Sequence, residues 1–555
     1  MTSIGDARRF TDGRQIVARY GIAPRGIVYR NPDVDVLYQA AVQREQGRVM
    51  ANGALLQDTT PNVGRAAKNS FYVDDKDARF DGRRLDDILS WGNAEKGAWN
   101  NLPIAPKTFQ RLKARVIEHL SGSGDLYVTD ALSGRTAASR LALRVITDRA
   151  PSALFSRQIF LRPTDDELVG FSPEWVILHA PDVDAEPGDN TNGKPFIITD
   201  LAAGLTIIGG TRYHGQIKKA IFSVQNFRLP LRGILTMHAG ASEGEGGKTA
   251  IHAGLSGTGK TTLSNTGHPV ADDQIVIEID AADPEAVVSN MEGGQYAKTE
   301  NLRRDKEPET FDAIKYGTTA ENIAIDGEGH ADYADTRITA NGRVGYPLEY
   351  VTTAKVSGMA RAPENITFLT ADGFGVLPPL ARLTIDGGKF HFVCGFTSKM
   401  PGTELGVTEP VPTFSGFFGK PFMPLKASYY TDLLAKLVDR HGTRIWLVNT
   451  GWLGPSQPGR ERVDILVSKA IINAVRDDRI DLSDDNFWFD PVFKHHVPKA
   501  VPGVDAALLD PRNFWSDKAA YAAAADKLAG IFQNQIARLD VPKAVAAAGP
   551  APAGR

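Results

Sequence analysis

The stretch Gly254-Leu255-Ser256-Gly257-Thr258-Gly259-Lys260-Thr261 decides how the chain is read. Its spacing is G-x-x-x-x-G-K-[ST], and each fixed residue type has a physical job. Glycines let the backbone curl until several amide N–H groups face one phosphate. A helix starting near Lys260 adds the positive end of its dipole. The Lys260 ammonium reaches the outer phosphates, and the Thr261 hydroxyl is placed to ligate Mg²⁺. Upstream, Thr249-Ala250-Ile251-His252-Ala253 reads as a short strand that feeds the loop. The pattern predicts a nucleoside triphosphate site on a strand–loop–helix unit and leaves the second substrate open. Downstream, Asp272-Asp273 precede the β-like run Gln274-Ile275-Val276-Ile277. Adjacent acids beside a phosphate site are candidate metal ligands.

Working outward, 555 residues predict two to five domains at roughly 100–200 residues each. The 63 basic and 66 acidic side chains leave a net charge of −3, which gives no global case for nucleic acid or an anionic membrane as partner. One cysteine, Cys394, excludes an intrachain disulfide and a Cys-rich zinc site. It lies in the apolar run Phe392-Val393-Cys394-Gly395 and reads as a buried small residue. The N-terminus is polar and charged, and no window approaches ~18 uninterrupted apolar residues, so a soluble, cytoplasmic chain is expected. The 54 glycines exceed the usual ~7% and concentrate near the phosphate motif and other turn-rich blocks.

Periodicity places a helix over residues 107–120, with Phe109, Leu112, Val116 and Leu120 on one face. Residues 126–129 and 141–146 read as strands, and residues 181–195 as a polar, turn-rich loop. Residues 366–376 and 389–395 carry β signals. A late helix over 517–539 buries Leu528, Ile531, Phe532 and Leu539. The fold class is therefore α/β. The expected domains are an N-terminal α/β, substrate-side domain over 1–225 and a mixed α/β, P-loop nucleotide- and metal-binding domain over 226–540. A flexible Ala/Pro/Gly-rich tail over 541–555 follows. No long heptad seam argues for an oligomer.

The P-loop, continued by Thr262-Leu263-Ser264, resembles that of the ATP-dependent phosphoenolpyruvate carboxykinase family. Four more blocks are similar in the same order. They are Ile208-Gly209-Gly210-Thr211-Arg212-Tyr213, the block over 292–299, the block over 368–379, and Leu447-Val448-Asn449-Thr450-Gly451-Trp452. The family's GTP-dependent relatives carry a cysteine in the P-loop; its absence here favours ATP. The resemblance implies a two-domain fold with the active site in the cleft between the domains. It implies conversion of oxaloacetate and ATP to phosphoenolpyruvate, ADP and CO₂, through a metal-stabilised enolate and in-line phosphoryl transfer. Mg²⁺ accompanies the nucleotide, and Mn²⁺ serves the reacting centre.

Carried over by position, the resemblance assigns Lys219, His238 and Asp273 to the second metal, with Thr261 on the nucleotide's Mg²⁺. Lys219 then ligates as a neutral amine, which requires its pKa to fall well below ~10.4. Arg65, Tyr213, Lys219 and Arg343 bind substrate, since guanidinium grips carboxylate by a two-point fork. Arg65, Lys219, Lys260, Ser256 and Arg343 form the catalytic set. Residues 254–261, Lys298, Glu307, Arg343, Arg462, Val463 and Ser468 bind ATP. A mobile lid over 389–412, around Thr397-Ser398-Lys399, keeps water out. Ser468 stands where the family usually has threonine.

Two blocks depart from the family. The arginine loop, usually T-G-R-S-P-K-D-K, is Val63-Gly64-Arg65-Ala66-Ala67-Lys68-Asn69-Ser70. Its supporting hydroxyl and proline are gone, so other contacts are expected to hold it. Gln274-Ile275-Val276-Ile277 replaces the usual E-H-G-W. Arg337 competes with Arg343 for one role, and Arg343 fits better because Val344 and Tyr346-Pro347 follow it. Two alternatives stand beside the carboxykinase reading. One is a catalytically weak nucleotide-binding regulator of the same fold; the other is a P-loop kinase of another small carboxylic acid.

Overall fold

The computed structural model describes residues 13–91, 101–255, 257–399, 410–455 and 460–553. The chain packs into two compact units. The first holds residues 13–91, Asn101–Gln225 and Glu292–Thr352. The second holds Asn226–Met291 and residues 353–553. A contiguous domain over 226–540 does not describe this packing, because Glu292–Thr352 returns to the first unit. Strand pairing is the reason: Thr319–Glu321 pairs in parallel with Leu55–Gln57, far back in the sequence.

The first unit is built on an eight-stranded mixed sheet. Its spatial order is Val28–Arg30, Leu126–Ser133, Leu141–Thr147, Trp175–Ala180, Leu205–Gly209, Phe196–Asp200, Ser70–Val73 and Leu102–Ile104. Leu126–Ser133 and Trp175–Ala180 are buried along their whole length, as strands covered on both faces must be. The helix Pro106–Gly122 buries the expected Phe109, Leu112, Val116 and Leu120 against this sheet. Each such side chain contributes ~1.5–3 kcal/mol. Its other face fixes the polar loop over 181–195: Arg111 Nε donates to Asp189 at 2.8 Å and Arg115 Nη1 at 3.0 Å. A second, five-stranded sheet runs Gly294–Lys298, Arg343–Pro347, Thr319–Glu321, Leu55–Gln57, Arg48–Val49.

The second unit has an eight-stranded sheet in the order His268–Ala271, Ala239–Glu243, Thr249–Gly254, Pro363–Thr370, Arg444–Asn449, Leu380–Leu383, His495–Pro498, Phe487–Asp490. Thr249–Gly254, Pro363–Thr370 and Arg444–Asn449 are parallel neighbours, so their C-terminal ends share one edge. In open α/β sheets that edge is where ligands bind. A four-stranded antiparallel sheet adds Leu235–Met237, Ile275–Ile277, Val288–Asn290 and Met359–Ala360.

Two local readings need correction. Residues 389–395 are not β: they end the helix Ile385–Cys394. The Thr384 side chain caps its start by accepting from Gly387 N, and Gly395 closes it in the left-handed region at φ 56°. Lys389-Phe390-His391-Phe392 alternates polar and apolar as a strand does, but the flanking caps make it the end of a helix. Cys394 is buried, as expected. The tail is not loose through residue 553. Helix Lys543–Ala548 buries Val545, Lys494 Nζ donates to Ala547 O at 2.6 Å, and Ala553 N donates to Asp526 Oδ1 at 2.8 Å. The late helix is Lys518–Ile536; Leu528 and Phe532 are buried, with Ala525, Ala529 and Ile536 completing the stripe. Ile531 and Leu539 are only half-buried.

Candidate functional site

The phosphate loop leaves Thr249–Gly254, a strand buried at all six positions. Gly257 and Gly259 adopt φ 84° and 88°, which side-chain-bearing residues rarely do. The turn is closed by Thr258 Oγ1, which donates to Leu255 O at 2.7 Å. The helix Lys260–Ser264 follows. Ser256 and the Thr261 side chain lie outside the described residues.

Antiparallel register places Met237 opposite Ile275. His238 and Asp273 each sit just beyond that pair, at the same end of the small sheet. Their side chains meet, with His238 Nε2 at 3.0 Å from Asp273 Oδ1. The Lys260 ammonium lies on both, donating to Asp273 Oδ1 and standing 3.3 Å from His238 Nε2. His238 Nδ1 is 2.6 Å from Phe418 O. A carbonyl only accepts, so Nδ1 carries a proton, and Nε2 is the ring nitrogen turned toward Asp273 and Lys260. An imidazole nitrogen beside a carboxylate oxygen is a donor set that suits a borderline divalent ion, and here an ammonium fills the cationic place. Among the described residues, no group of three or more His, Cys, Asp or Glu could hold a metal.

The neighbouring strand ends brace this loop. Thr450 Oγ1 donates toward Thr258 O at 2.9 Å and Thr370 O at 3.1 Å. Arg462 donates from Nη2 to Thr450 Oγ1 at 2.9 Å, from Nε to Thr450 O at 2.9 Å and from Nη1 to Gly257 O at 2.8 Å. Its guanidinium lies 5.3 Å from the Trp452 ring centre. Val463 N donates to Gly451 O at 2.7 Å. Asp372 is buried and takes N–H bonds from Phe374, Val376 and Leu377 at 2.8–2.9 Å. Burial pushes its carboxyl up to about 6 despite those bonds. Ser468 is buried on the helix Ile465–Arg476.

The first unit gathers another set. Lys298 and Arg343 are direct cross-strand partners, with Glu321 opposite Arg343 on its other side. Lys298 is ion-paired with Glu300. Arg343 donates from Nε and Nη2 to Asn341 Oδ1 at 3.1 and 2.9 Å and lies 5.4 Å from the Tyr296 ring centre. Asn341 Nδ2 donates to Val63 O at 2.8 Å and toward the Tyr213 hydroxyl at 3.4 Å. Val63 is two residues from half-buried Arg65. Thus the Arg65 loop, Tyr213 and Arg343 converge on one amide. Arg337 stands apart, its side chain 84% exposed and paired with Asp335.

The helix Gly215–Arg228 carries the lysine pair. Lys218 is buried, with Nζ 2.9 Å from Glu292 Oε2. Lys219 is half-buried, its ammonium 4.9 Å from the Phe222 ring centre. Glu307 stands at the N-terminus of the helix Pro308–Ala313, on the chain leaving Lys298. Residues 400–409, part of the expected lid, lie outside the described residues; Phe396–Lys399 and Val411–Phe414 on either side pair as antiparallel strands.

Sequence reasoning did not single out Asn341, Tyr296, Thr450 or Asp372. Asn341-Gly342 reads as an ordinary turn, and only its position two residues before Arg343 hinted at more. Thr450 and Asp372 sat inside blocks already quoted.

Comparison with known proteins adds the following. The sequence matches the family described as phosphoenolpyruvate carboxykinase over residues 26–507. It is 39% identical over 503 residues to a phosphoenolpyruvate carboxykinase (ATP) of Lysinibacillus sphaericus, covering 90% of this chain and 92% of that one. It is 41% identical over 520 residues to a protein of the same name from Geobacter sp. strain M21, covering 93% and 94%. It is 40% identical over 522 residues to one from Mesorhizobium japonicum, covering 93% of each.

Proposed function

The chain belongs to the ATP-dependent phosphoenolpyruvate carboxykinase family, and from that premise we propose which of its residues carry the reaction. It is a carboxy-lyase that uses ATP and a divalent metal to convert oxaloacetate to phosphoenolpyruvate, ADP and CO₂. The observation that carries the residue assignment is the Lys260–Asp273–His238 cluster at the foot of the phosphate loop.

Asp273 and His238, with the Lys219 amine, would hold Mn²⁺, and Thr261 would hold Mg²⁺ with the nucleotide. Bound there, the ions supply electrostatic stabilisation of developing negative charge. Arg65, Tyr213 and Arg343 orient the dicarboxylate. The C–C bond to the departing carboxylate breaks, CO₂ leaves, and its electron pair passes to the enolate oxygen, which Arg65 stabilises. That oxygen attacks the γ-phosphorus in line, and the bond to the bridging oxygen of ADP breaks. Lys260, Lys298 and Arg343 spread the charge of a loose transition state. Ser256 contacts the γ-phosphate or substrate. The loop backbone over 254–261, Glu307, Arg462, Val463 and Ser468 seat the nucleotide. No protein nucleophile is needed. Water would protonate the enolate to pyruvate, so the site must exclude it; the first part of the expected lid, residues 389–394, is instead the buried end of a helix. We read the enzyme as a cytoplasmic monomer acting on small molecules in gluconeogenesis.

The test is a coupled assay of oxaloacetate loss and phosphoenolpyruvate formation, with ATP or GTP and with or without Mn²⁺. Turnover is expected with ATP and is raised by Mn²⁺. Asp273→Asn should lose more than the ~10–100-fold that disturbing a ligand's outer partner costs, with ATP affinity kept in a calorimetric titration. Full activity in that variant rejects the ligand assignment; tight ATP binding by the unaltered protein without turnover rejects the catalytic reading.

A further inference from the structure

We propose that Asn341 is a positioning residue that orients Arg343 without pairing its charge, leaving the guanidinium available for the substrate's carboxylate, while holding the Arg65 loop against it. The inference rests on the reading of Arg65, Tyr213 and Arg343 as the substrate-binding set.

The Asn341 amide has two ends of opposite polarity, and each faces its complement. Oδ1 accepts from Arg343 Nε at 3.1 Å and Nη2 at 2.9 Å. Nδ2 donates to Val63 O at 2.8 Å and lies 3.4 Å from the Tyr213 hydroxyl. Turning the amide over would set N–H against guanidinium N–H and oxygen against a carbonyl, so only this orientation satisfies all four partners. Asn341 is itself half-buried, where such polarity matters more than in water.

The choice of amide over carboxylate has a chemical consequence. A carboxylate at 341 would grip Arg343 through a charge-assisted fork and compete with the substrate for the same guanidinium. It would also place a second oxygen against Val63 O, where nothing can donate. The neutral amide fixes the direction of Arg343 without cancelling its charge. The same side chain answers how the Arg65 loop is held without the family's hydroxyl and proline. Val63 O is pinned by Asn341, Asn62 Nδ2 donates to Gly210 O at 2.9 Å, and Asn192 Nδ2 donates to Lys68 O. Asn341 and Asn192 hold the loop by its backbone carbonyls on either side of Arg65, and Asn62 ties the loop through its own side chain to the backbone at Gly210.

The experiment compares Asn341→Asp with Asn341→Ala in the full chain. It reads kcat and KM for oxaloacetate, together with ADP affinity and melting temperature. Asn341→Asp fills the same volume but adds charge; Asn341→Ala empties the place without charge. The expected result is a drop in kcat/KM for oxaloacetate of about 10–100-fold in Asn341→Asp, carried mainly by KM. The drop in Asn341→Ala is smaller, and ADP affinity stays within about twofold in both. A side chain that only packs gives the reverse order, with alanine the worse. That order, or an Asn341→Asp enzyme indistinguishable from the unaltered one, overturns the proposal. If Asn341→Ala does not fold, Asn341→Ser takes its place as the uncharged comparison. An unaltered protein that binds ADP but turns over no oxaloacetate defeats the functional reading instead, a separate outcome from failure of the Asn341 ordering.

Discussion

Single side chains set two further expectations. Thr450 spends its hydroxyl on the carbonyls of Thr258 and Thr370 while accepting from Arg462. Thr450→Val removes those bonds without changing shape. It should raise KM for ATP by about tenfold, the equivalent of one hydrogen bond to a charged group, with little change for oxaloacetate. Thr450→Ser should recover most of the loss in the same steady-state assay. Glu45 offers a pH test. Burial, its largest influence, pushes its carboxyl from 4.5 to about 7, although Ala150 N donates to Oε1 at 2.8 Å. A raised folded pKa means the folded state binds the proton more tightly than the unfolded chain. This stabilising contribution is complete below about 4.5 and is lost as pH rises through about 7. Its size is on the order of 3 kcal/mol. Glu45→Gln keeps the Ala150 bond and cannot ionise. Its stability relative to the unaltered protein should therefore improve between pH 5 and pH 8 in urea unfolding. An unchanged difference would count against the burial argument.

Elements were legible where a local signal was complete. The strand, glycine turn and helix of the phosphate loop appeared where the motif put them, because each residue type there has one conformational use. The helix Pro106–Gly122 showed its buried face in the spacing alone. Residues 389–395 misled because Lys389-Phe390-His391-Phe392 alternates polar and apolar with the period of a strand, over too few residues to reveal the helix. The tail misled because its Ala/Pro/Gly composition says nothing about the surface waiting for it. Val545 is buried there, and a Cβ on Gly549 would press on the Phe390 ring at 2.0 Å. Removing residues 541–555 should therefore lower the melting temperature of the second unit by about 5–10 °C, from loss of one buried valine-sized side chain and its hydrogen bonds. A calorimetric scan with an unchanged transition would show the tail to be idle.

For the whole molecule, the decisive feature is the return of Glu292–Thr352 to the first unit. A fragment ending at Gln225 lacks Thr319–Glu321, the partner of Leu55–Gln57, and lacks Arg343–Pro347 beyond it. Such a fragment should show no cooperative melt by circular dichroism, whereas the full chain does. The sequence by itself determined the chemistry: glycines and a lysine at fixed spacing make a phosphate cradle whatever surrounds them, and the blocks around it named the family. Through the family resemblance it also put forward His238, Asp273 and Arg343 as site residues. Only the tertiary structure decided who stands beside whom. Register between strands distant in sequence put Lys298 across from Arg343 and His238 beside Asp273. Asn341 acquired its four partners only because residues 63, 213 and 343 meet there. Local sequence sets backbone preference within a few residues, but pairing across hundreds of residues depends on the packing of the whole core.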